Sequence, residues 1–405
     1  MTMMTWVWLA CLTLGGGTER PVDVLELVNG KQVKGIVIFE DSERVLLKVR
    51  SRTKEYRAED IASIDSLRRN LADVLDQQKY TDWGATDQVM ALARYCESKG
   101  MQGLARVFAL RVLENDATRV EAHEFLGHSR RGDSWRVRER GKSIAFSKLA
   151  ETRSDWGEEW LLETPHYKLR TNLDLGQAID LACDLEHFYR AFYSLLGHHM
   201  ELLEVTERMP ANVHADSVSY PESIGGRVAY FRPSDFTLIV NAEGGLDMRV
   251  LYHEATHQLL HMTSYRERNG RGTIPGWLNE GLADVLGTGA SGDPGRMGID
   301  GSARNDGYFN VQRSSGDPFS LSRILTMDST DFHGSSNLQL KYAQCYTLVH
   351  FLLHADKERY RPGFFRFMES AFDGRASSGQ FEKAMGVERE ELEVAWLDYV
   401  RRAGR

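Results

Sequence analysis

Residues 247–262 read DMRVLYHEATHQLLHM, and this stretch decides how the rest of the chain is interpreted. Apolar residues recur in it at helical spacing, which predicts an amphipathic helix with one buried stripe: Leu251, Ala255, Leu259 and Met262. His253 and His257 lie off that stripe and, four residues apart, share one face of the helix. Two imidazoles on one face can bind a single metal ion, and Glu254 beside them could act on a water molecule rather than on the metal.

A second motif, WLNEGLAD at residues 277–284, follows after a loop that contains glycine and proline. A hydrolytic zinc site needs three protein ligands and one open position, and Glu280 at the start of this motif is placed to be the third ligand. The alternative interpretation is a structural pair of histidines that binds no metal. The spacing therefore predicts one catalytic Zn²⁺ held by His253, His257 and Glu280.

At these residues the chain resembles the gluzincin superfamily of zinc peptidases, which includes the thermolysin-like peptidases and the zinc aminopeptidases. The resemblance implies that Glu280 is the third ligand and that Asp284, four residues later, orients a ligating histidine as its hydrogen-bond partner. The metzincin pattern does not fit, because Leu260 and Thr263 stand where that pattern needs glycine and histidine. The implied fold is an α+β, thermolysin-like domain that carries a zinc metallopeptidase site, with Glu254 as the catalytic base.

Residues 341–349, KYAQCYTLV, resemble the helix that carries the transition-state tyrosine of zinc aminopeptidases. The match falls on Tyr342, whose hydroxyl would donate a hydrogen bond to the oxyanion of the tetrahedral intermediate. Tyr346, one helical turn later, is the competing candidate. The alternative is that both tyrosines only pack the helix.

Residues 225–231 and 236–240 predict two strands just before the helix with the histidines. Gluzincins place an edge strand there, and a peptide can pair with such a strand through main-chain hydrogen bonds. Gly225, Gly226 and Ala229 are therefore candidate substrate-binding residues. The alternative for the glycine pair is a simple turn.

The composition indicates a folded protein that does not bind nucleic acid. The chain has 405 residues, of which 42% are hydrophobic and 27% charged, so it can form two or three cores. Its net charge of −8 and the lack of a basic run argue against a nucleic-acid partner. Beyond Cys11, three widely spaced cysteines predict neither a disulfide framework nor a cysteine-rich metal site.

The first 18 residues have the pattern of a signal peptide. The uncharged apolar run from Trp6 to Leu14 is too short for a membrane span, and small residues follow it at Gly15–Gly17. We therefore expect residues 1–18 to direct export to the periplasm or the extracellular space. Nothing else in the sequence predicts a stable membrane span.

The remaining chain divides into three predicted parts. Residues 20–66 alternate apolar and polar positions around Asn29–Gly30, which predicts hairpins in a small SH3-like β-barrel. Residues 67–160 have helical periodicity and predict a tetratricopeptide-like linker domain. Residues 163–405 predict the α+β zinc peptidase domain. This order also resembles an uncharacterised bacterial family of predicted exported peptidases.

The sequence therefore predicts a zinc metallopeptidase that acts on a peptide or protein substrate. Two alternatives remain open at this point. One is a non-catalytic exported binding or scaffold protein, and the other is a zinc amidohydrolase that acts on a non-protein amide. The sequence makes no prediction about the oligomeric state.

Overall fold

The structure of the chain is a computed structural model. It describes residues 20–139, 141–221, 228–267, 274–290, 304–328, 331–332 and 337–403. The predicted signal peptide (residues 1–18) and two candidate substrate-binding residues, Gly225 and Gly226, lie outside the described residues.

An antiparallel sheet forms the N-terminal part. Its strands are β1 (Asp23–Leu27), β2 (Gln32–Glu40), β3 (Arg44–Val49), β4 (Arg52–Arg57) and β5 (Ile61–Asp65). Their order is β4-β3-β2-β1-β5. The predicted hairpin at Asn29–Gly30 is confirmed, because β1 and β2 pair antiparallel across it and Gly30 has a φ of +78°. Leu25, Val37 and Leu47 help to form a separate small core, while the SH3-like barrel stays a prediction.

Helices follow this sheet where the sequence predicts them. They are α1 (Leu67–Gln78), α2 (Thr86–Ser98), α3 (Gln102–Asn115) and α4 (Val120–Phe125). Ser66 begins α1 as its N-cap, since its side chain accepts a hydrogen bond from the backbone N–H of Arg69. The tetratricopeptide-like character of this segment stays a prediction.

A small three-stranded antiparallel sheet interrupts the helical segment and is not predicted from the sequence. It consists of β6 (Ser129–Arg131), β7 (Ser134–Glu139) and β8 (Lys142–Ala145), and α5 (Leu149–Arg153) follows. The three residues of β6 are all exposed and polar. Such a strand has no apolar alternation from which it could be recognised.

A mixed five-stranded sheet supports the C-terminal part. It contains β9 (Trp160–Glu163), β10 (Tyr167–Thr171), β11 (Met209–His214), β12 (Ala229–Arg232) and β13 (Thr237–Asn241), in the order β12-β13-β11-β10-β9. The three central strands are parallel, and the outer strands β9 and β12 are antiparallel to their neighbours. The long helix α6 (Leu175–Gly197) connects β10 to β11.

Helices make up the described part of the chain after β13. They are α7 (Met248–Glu267), α8 (Gly276–Ala290), α9 (Asp306–Ser314), α10 (Leu321–Thr326), α11 (Leu338–Glu358), α12 (Arg361–Phe372), α13 (Ser378–Met385) and α14 (Arg389–Arg402). None of the helices in the described ranges is both long and apolar enough to cross a membrane.

The helical segment and the C-terminal part share one apolar core. The same cluster of buried side chains extends from Leu67 on α1 to Val400 on α14. Helix α3 lies so close to β9 that a Cβ on Gly103 would collide with the carbonyl oxygen of Glu163. The segment predicted as a linker is therefore packed directly against the mixed sheet.

A buried hydrogen-bonded pair of residues, Glu186 and His166, links α6 to the start of β10. The Glu186 carboxylate has no exposed surface and accepts hydrogen bonds from the backbone N–H of His166 at 2.6 Å and from its Nδ1 at 2.8 Å. Burial raises the pKa of Glu186, but the contacts with His166 outweigh it and hold the pKa below its ordinary value of 4.5. The ionised form of Glu186 is therefore the form that stabilises the fold.

We expect Glu186→Gln to lower the free energy of unfolding at neutral pH by about 1.5–3 kcal/mol, the contribution of a hydrogen bond to a charged group. Because the folded-state pKa is depressed, this stabilisation is present above pH 4.5 and is lost as the pH falls through the lower folded-state value. Urea unfolding of both proteins over a pH series measures the difference. A difference that stays constant down to acidic pH would contradict the assigned role of the carboxylate.

Candidate metal centre

Three possible ligand atoms from two helices converge at one point. On α7, Nε2 of His253 lies 3.0 Å from Nε2 of His257. From α8, Oε2 of Glu280 lies 3.5 Å from the first of these nitrogens and 3.4 Å from the second. This oxygen is buried and has no hydrogen-bond partner among the described residues. The predicted ligand set is thus brought together by the fold.

The spacing of these atoms suits a zinc ion. Zinc binds imidazole nitrogen and carboxylate oxygen at about 2.0–2.2 Å in a tetrahedral arrangement, so ligand atoms lie about 3.3–3.5 Å apart. The three observed separations, 3.0, 3.4 and 3.5 Å, lie close to this range. The residues therefore fit zinc both in donor type and in geometry.

Asp284 holds the outer side of the first imidazole. Its Oδ1 lies 2.9 Å from Nδ1 of His253, and since a carboxylate only accepts, Nδ1 carries the proton and Nε2 is turned toward Glu280. Glu280 and Asp284 lie one turn apart on α8, so a single face of this helix presents both carboxylates. The resemblance implies that Asp284 is the hydrogen-bond partner of a ligating histidine, and Asp284 does lie beside the candidate ligand His253.

The carboxylates make the centre strongly favourable for positive charge. Burial lowers the pKa of His253, but Asp284 and Glu280 outweigh it and raise this pKa to about 10. For His257, burial again acts downward and Glu280 raises the pKa above its ordinary value. Burial raises the pKa of Glu280, while the two imidazoles hold it well below its usual range. Positive charge at this cluster, from protons or from a metal ion, is therefore stabilised by the carboxylates.

Glu254 is fixed by the edge of the mixed sheet. Its Oε2 accepts a hydrogen bond of 2.9 Å from the backbone N–H of Phe231 on β12. The ligand atoms of Glu254, His253 and His257 all lie within 4.8 Å of one another. Glu254 thus lies beside the imidazoles, but its carboxylate is held by the sheet, whereas Glu280 points its unbonded oxygen at both rings. These contacts favour Glu280 over Glu254 as the candidate third ligand.

Two glycines on α8 allow its neighbours to approach closely. A Cβ on Gly287 would lie 2.9 Å from the carbonyl oxygen of Arg249 and 3.1 Å from the backbone nitrogen of His253 on α7. A Cβ on Gly281 would lie 2.6 Å from the carbonyl oxygen of Cys345 on α11. Side chains at either position would separate the helices that carry the candidate ligands and Tyr342.

The two candidate tyrosines on α11 have different surroundings. Tyr342 is half-buried and its ring centroid lies 6.5 Å from that of His253. Tyr346 is fully buried, and its hydroxyl accepts a hydrogen bond of 2.8 Å from the backbone N–H of Asn305. The ring of Tyr342 is therefore the one that lies near a candidate ligand, whereas the ring of Tyr346 packs on Tyr308 and His350.

Ala229 lies on the edge strand, as the sequence predicts. The carbonyl of Val228 accepts a hydrogen bond from Asn241 of β13, whereas the N–H of Phe231 points away from β13 to Glu254. Since backbone groups alternate sides along an antiparallel strand, those of Ala229 point to the same outer edge as those of Phe231. Main-chain groups near Glu254 therefore face the side where a substrate strand could pair.

Several residues of this site escape the sequence analysis. Phe231 acts through its backbone, which no side-chain motif records. Gly281 and Gly287 lie inside an apolar helical pattern. An isolated glycine in such a pattern indicates close packing, so the sequence does contain a signal for these two positions. On α9, burial and then the charge of Asp284 raise the pKa of the Tyr308 hydroxyl.

Comparison with known proteins adds one finding. Residues 247–371 match a family described as "Protein of unknown function (DUF1570)". The matched stretch covers α7, α8 and α11 and thus includes the candidate ligands and Tyr342. No curated protein matches the chain.

We expect Gly287→Ala to lower the free energy of unfolding by about 1–3 kcal/mol, because its methyl group meets the backbone of α7. Helix propensity alone would predict that this change raises the free energy of unfolding by about 1 kcal/mol. Gly197→Ala, at the end of α6 in open space, is the matched control and should not destabilise. Urea unfolding compares the variants, and a Gly287→Ala protein as stable as the control would contradict the close packing of α7 and α8.

Proposed function

We propose that the chain is a zinc-dependent peptidase that hydrolyses peptide bonds with water. The observation that carries the proposal is the convergence of two imidazole nitrogens and one unbonded, buried carboxylate oxygen, with a second carboxylate held beside them. His253, His257 and Glu280 would hold the ion. When bound, zinc supplies a water of lowered pKa and polarises the scissile carbonyl.

Glu254 is the proposed general base. Its carboxylate takes a proton from the attacking water as the new C–O bond forms, and it passes that proton to the leaving nitrogen as the C–N bond breaks. The hydrogen bond from Phe231 occupies only Oε2, so the other oxygen can face the reacting water. The backbone of β12 thus orients the base without satisfying all of its acceptor capacity.

An extended peptide is the substrate class that suits the edge of the mixed sheet. β12 is the outer strand in the described sheet order, and the backbone of Ala229 faces outward there. A peptide that pairs with this edge gains main-chain hydrogen bonds that do not depend on its sequence. The scissile bond would then lie between Glu254 and the ligand cluster.

We expect Glu254→Gln to keep stoichiometric zinc and lose hydrolysis, because an amide cannot accept the proton of the attacking water. Glu280→Ala should instead lose the zinc, because the ion would retain only two protein ligands. Metal analysis of the purified full-length proteins, with cleavage of a diverse peptide library, separates the two effects.

The matched control is Glu97→Gln, the same change at an exposed position of α2. It should bind zinc and cleave peptides like the wild type. If Glu254→Gln hydrolyses peptides at the wild-type rate, Glu254 is not the base. If the wild type binds zinc but cleaves no peptide, the alternatives of a binding protein or a non-peptide amidohydrolase gain support.

We expect Tyr342→Phe to lower kcat by about a hundredfold and to change KM much less, because it removes one donor to the oxyanion. Tyr346→Phe removes the acceptor for the N–H of Asn305, so its effect should fall mainly on stability, by about 1 kcal/mol. Steady-state kinetics and urea unfolding of both variants measure this contrast. The opposite pattern would assign the oxyanion donor to Tyr346.

A further inference from the structure

Phe332 packs edge-on against Tyr342, the candidate oxyanion donor. The centroids of the two rings lie 5.1 Å apart and the ring planes are nearly perpendicular, at 86°. Aromatic pairs favour this edge-to-face arrangement. Phe332 is buried, whereas Tyr342 is half-buried and its ring centroid lies 6.5 Å from that of His253. Phe332 is thus a buried wall against which the more exposed tyrosine ring rests.

A buried lysine holds Phe332 in place. Nζ of Lys341 donates a hydrogen bond of 3.0 Å to the carbonyl oxygen of Phe332 and another to the carbonyl oxygen of Asp331. The same ammonium lies 5.9 Å from the centroid of the Phe332 ring. Lys341 is buried, and a buried ammonium is costly unless hydrogen bonds compensate for the lost water, so these contacts bind it firmly.

Two further contacts secure the same short segment. The backbone N–H of Phe332 donates to the carbonyl oxygen of Asp328 at 2.8 Å, and Arg323 of α10 donates to the Asp331 carboxylate at 2.9 Å. Lys341 directly precedes Tyr342 on α11. The helix that carries the tyrosine therefore also carries the group that holds the neighbour of this tyrosine, and the position of Phe332 relative to the Tyr342 ring follows from α11.

We propose that Phe332, held by Lys341, is a positioning residue that keeps the ring of Tyr342 beside His253. The inference rests on the proposed function, in which the Tyr342 hydroxyl donates to the oxyanion. Such a donor must lie about 2.7–3.1 Å from the position that the oxyanion takes. A half-buried tyrosine can change its side-chain rotamer, which would carry the hydroxyl away from that position, and the ring of Phe332 opposes this movement.

The orientation of the Tyr342 ring can be measured without zinc or substrate. In the full-length protein, meta-fluorotyrosine at position 342 has two ring-flip states, and a ring held in one packed environment gives them separate fluorine resonances. We expect Phe332→Leu to merge these resonances near the shift of the unfolded protein, because the tyrosine ring loses its wall. Lys341→Met keeps a long side chain but removes the ammonium, and it should change the spectrum in the same direction.

The matched control is Phe309→Leu. Phe309 is also buried, and its ring lies edge-on to Tyr346, the other tyrosine on α11, with a centroid distance of 6.1 Å and an interplanar angle of 89°. The same side-chain change is therefore made next to the same helix but away from Tyr342. It should leave the fluorine resonances at position 342 unchanged, and thermal unfolding shows that each variant is folded.

Kinetics test whether the held ring matters for hydrolysis. We expect Phe332→Leu to lower kcat by about tenfold and to change KM much less, because a misplaced group can cost up to about a hundredfold in rate. In a Tyr342→Phe background, the same change should have little further effect, because the hydroxyl that Phe332 positions is gone.

Three results would overturn the inference while the zinc site stands. They are separate fluorine resonances that persist in Phe332→Leu, an equal change of the spectrum in Phe309→Leu, and additive losses of kcat in the double-mutant cycle. A wild-type protein that cleaves no peptide would instead overturn the proposed function. The fluorine spectra would still decide whether Phe332 holds the ring of Tyr342.

Discussion

The close packing of α8 between α7 and α11 is the constraint on which the candidate site depends. Gly287 lets the backbone of α8 approach His253, and Gly281 lets it approach Cys345 on α11. On the same helix, Glu280 comes directly before Gly281, and Asp284 lies between the two glycines. Their distances to the imidazoles therefore follow from the helix separation, and a shift of less than 1 Å would be large relative to the tolerance of a zinc site.

The sheet provides an independent support for α7. The side chain of Gln258, which is fully buried, donates hydrogen bonds to the carbonyls of Pro210 at 3.0 Å and Phe236 at 2.8 Å. Glu254 accepts from Phe231 at the same side of the helix. The rotation of α7 about its axis is thus fixed by the sheet, and its separation from α8 is fixed by glycine. The sheet therefore positions the proposed base Glu254, and the packing of α8 on α7 sets the distance between Glu280 and the two imidazoles.

The parts of the site that the sequence predicts are local, and the parts it misses depend on tertiary packing. His253, Glu254 and His257 are recognisable because helical spacing alone places them together, and Glu280 follows from the need for a third ligand. Phe231 acts through an N–H that every residue except proline has. The same distinction applies to the fold: the hairpin at Asn29–Gly30 is predicted from a local turn signal, whereas the short polar strand β6 is not predicted.

The charge balance of the centre suits a bound cation. The carboxyl groups of Glu254, Glu280 and Asp284 surround two imidazoles in a largely buried space. Among the described residues, no Lys or Arg side chain forms an ion pair with these carboxyl groups. Burying such groups costs several kcal/mol per ion unless a counter-charge compensates. Protonated imidazoles supply part of it, as the raised pKa of His253 indicates. A divalent ion would instead bind the lone pairs of both imidazoles and of Glu280 at once. The same carboxylates that raise the pKa of the imidazoles therefore favour metal binding, and protons and the ion compete for the same atoms.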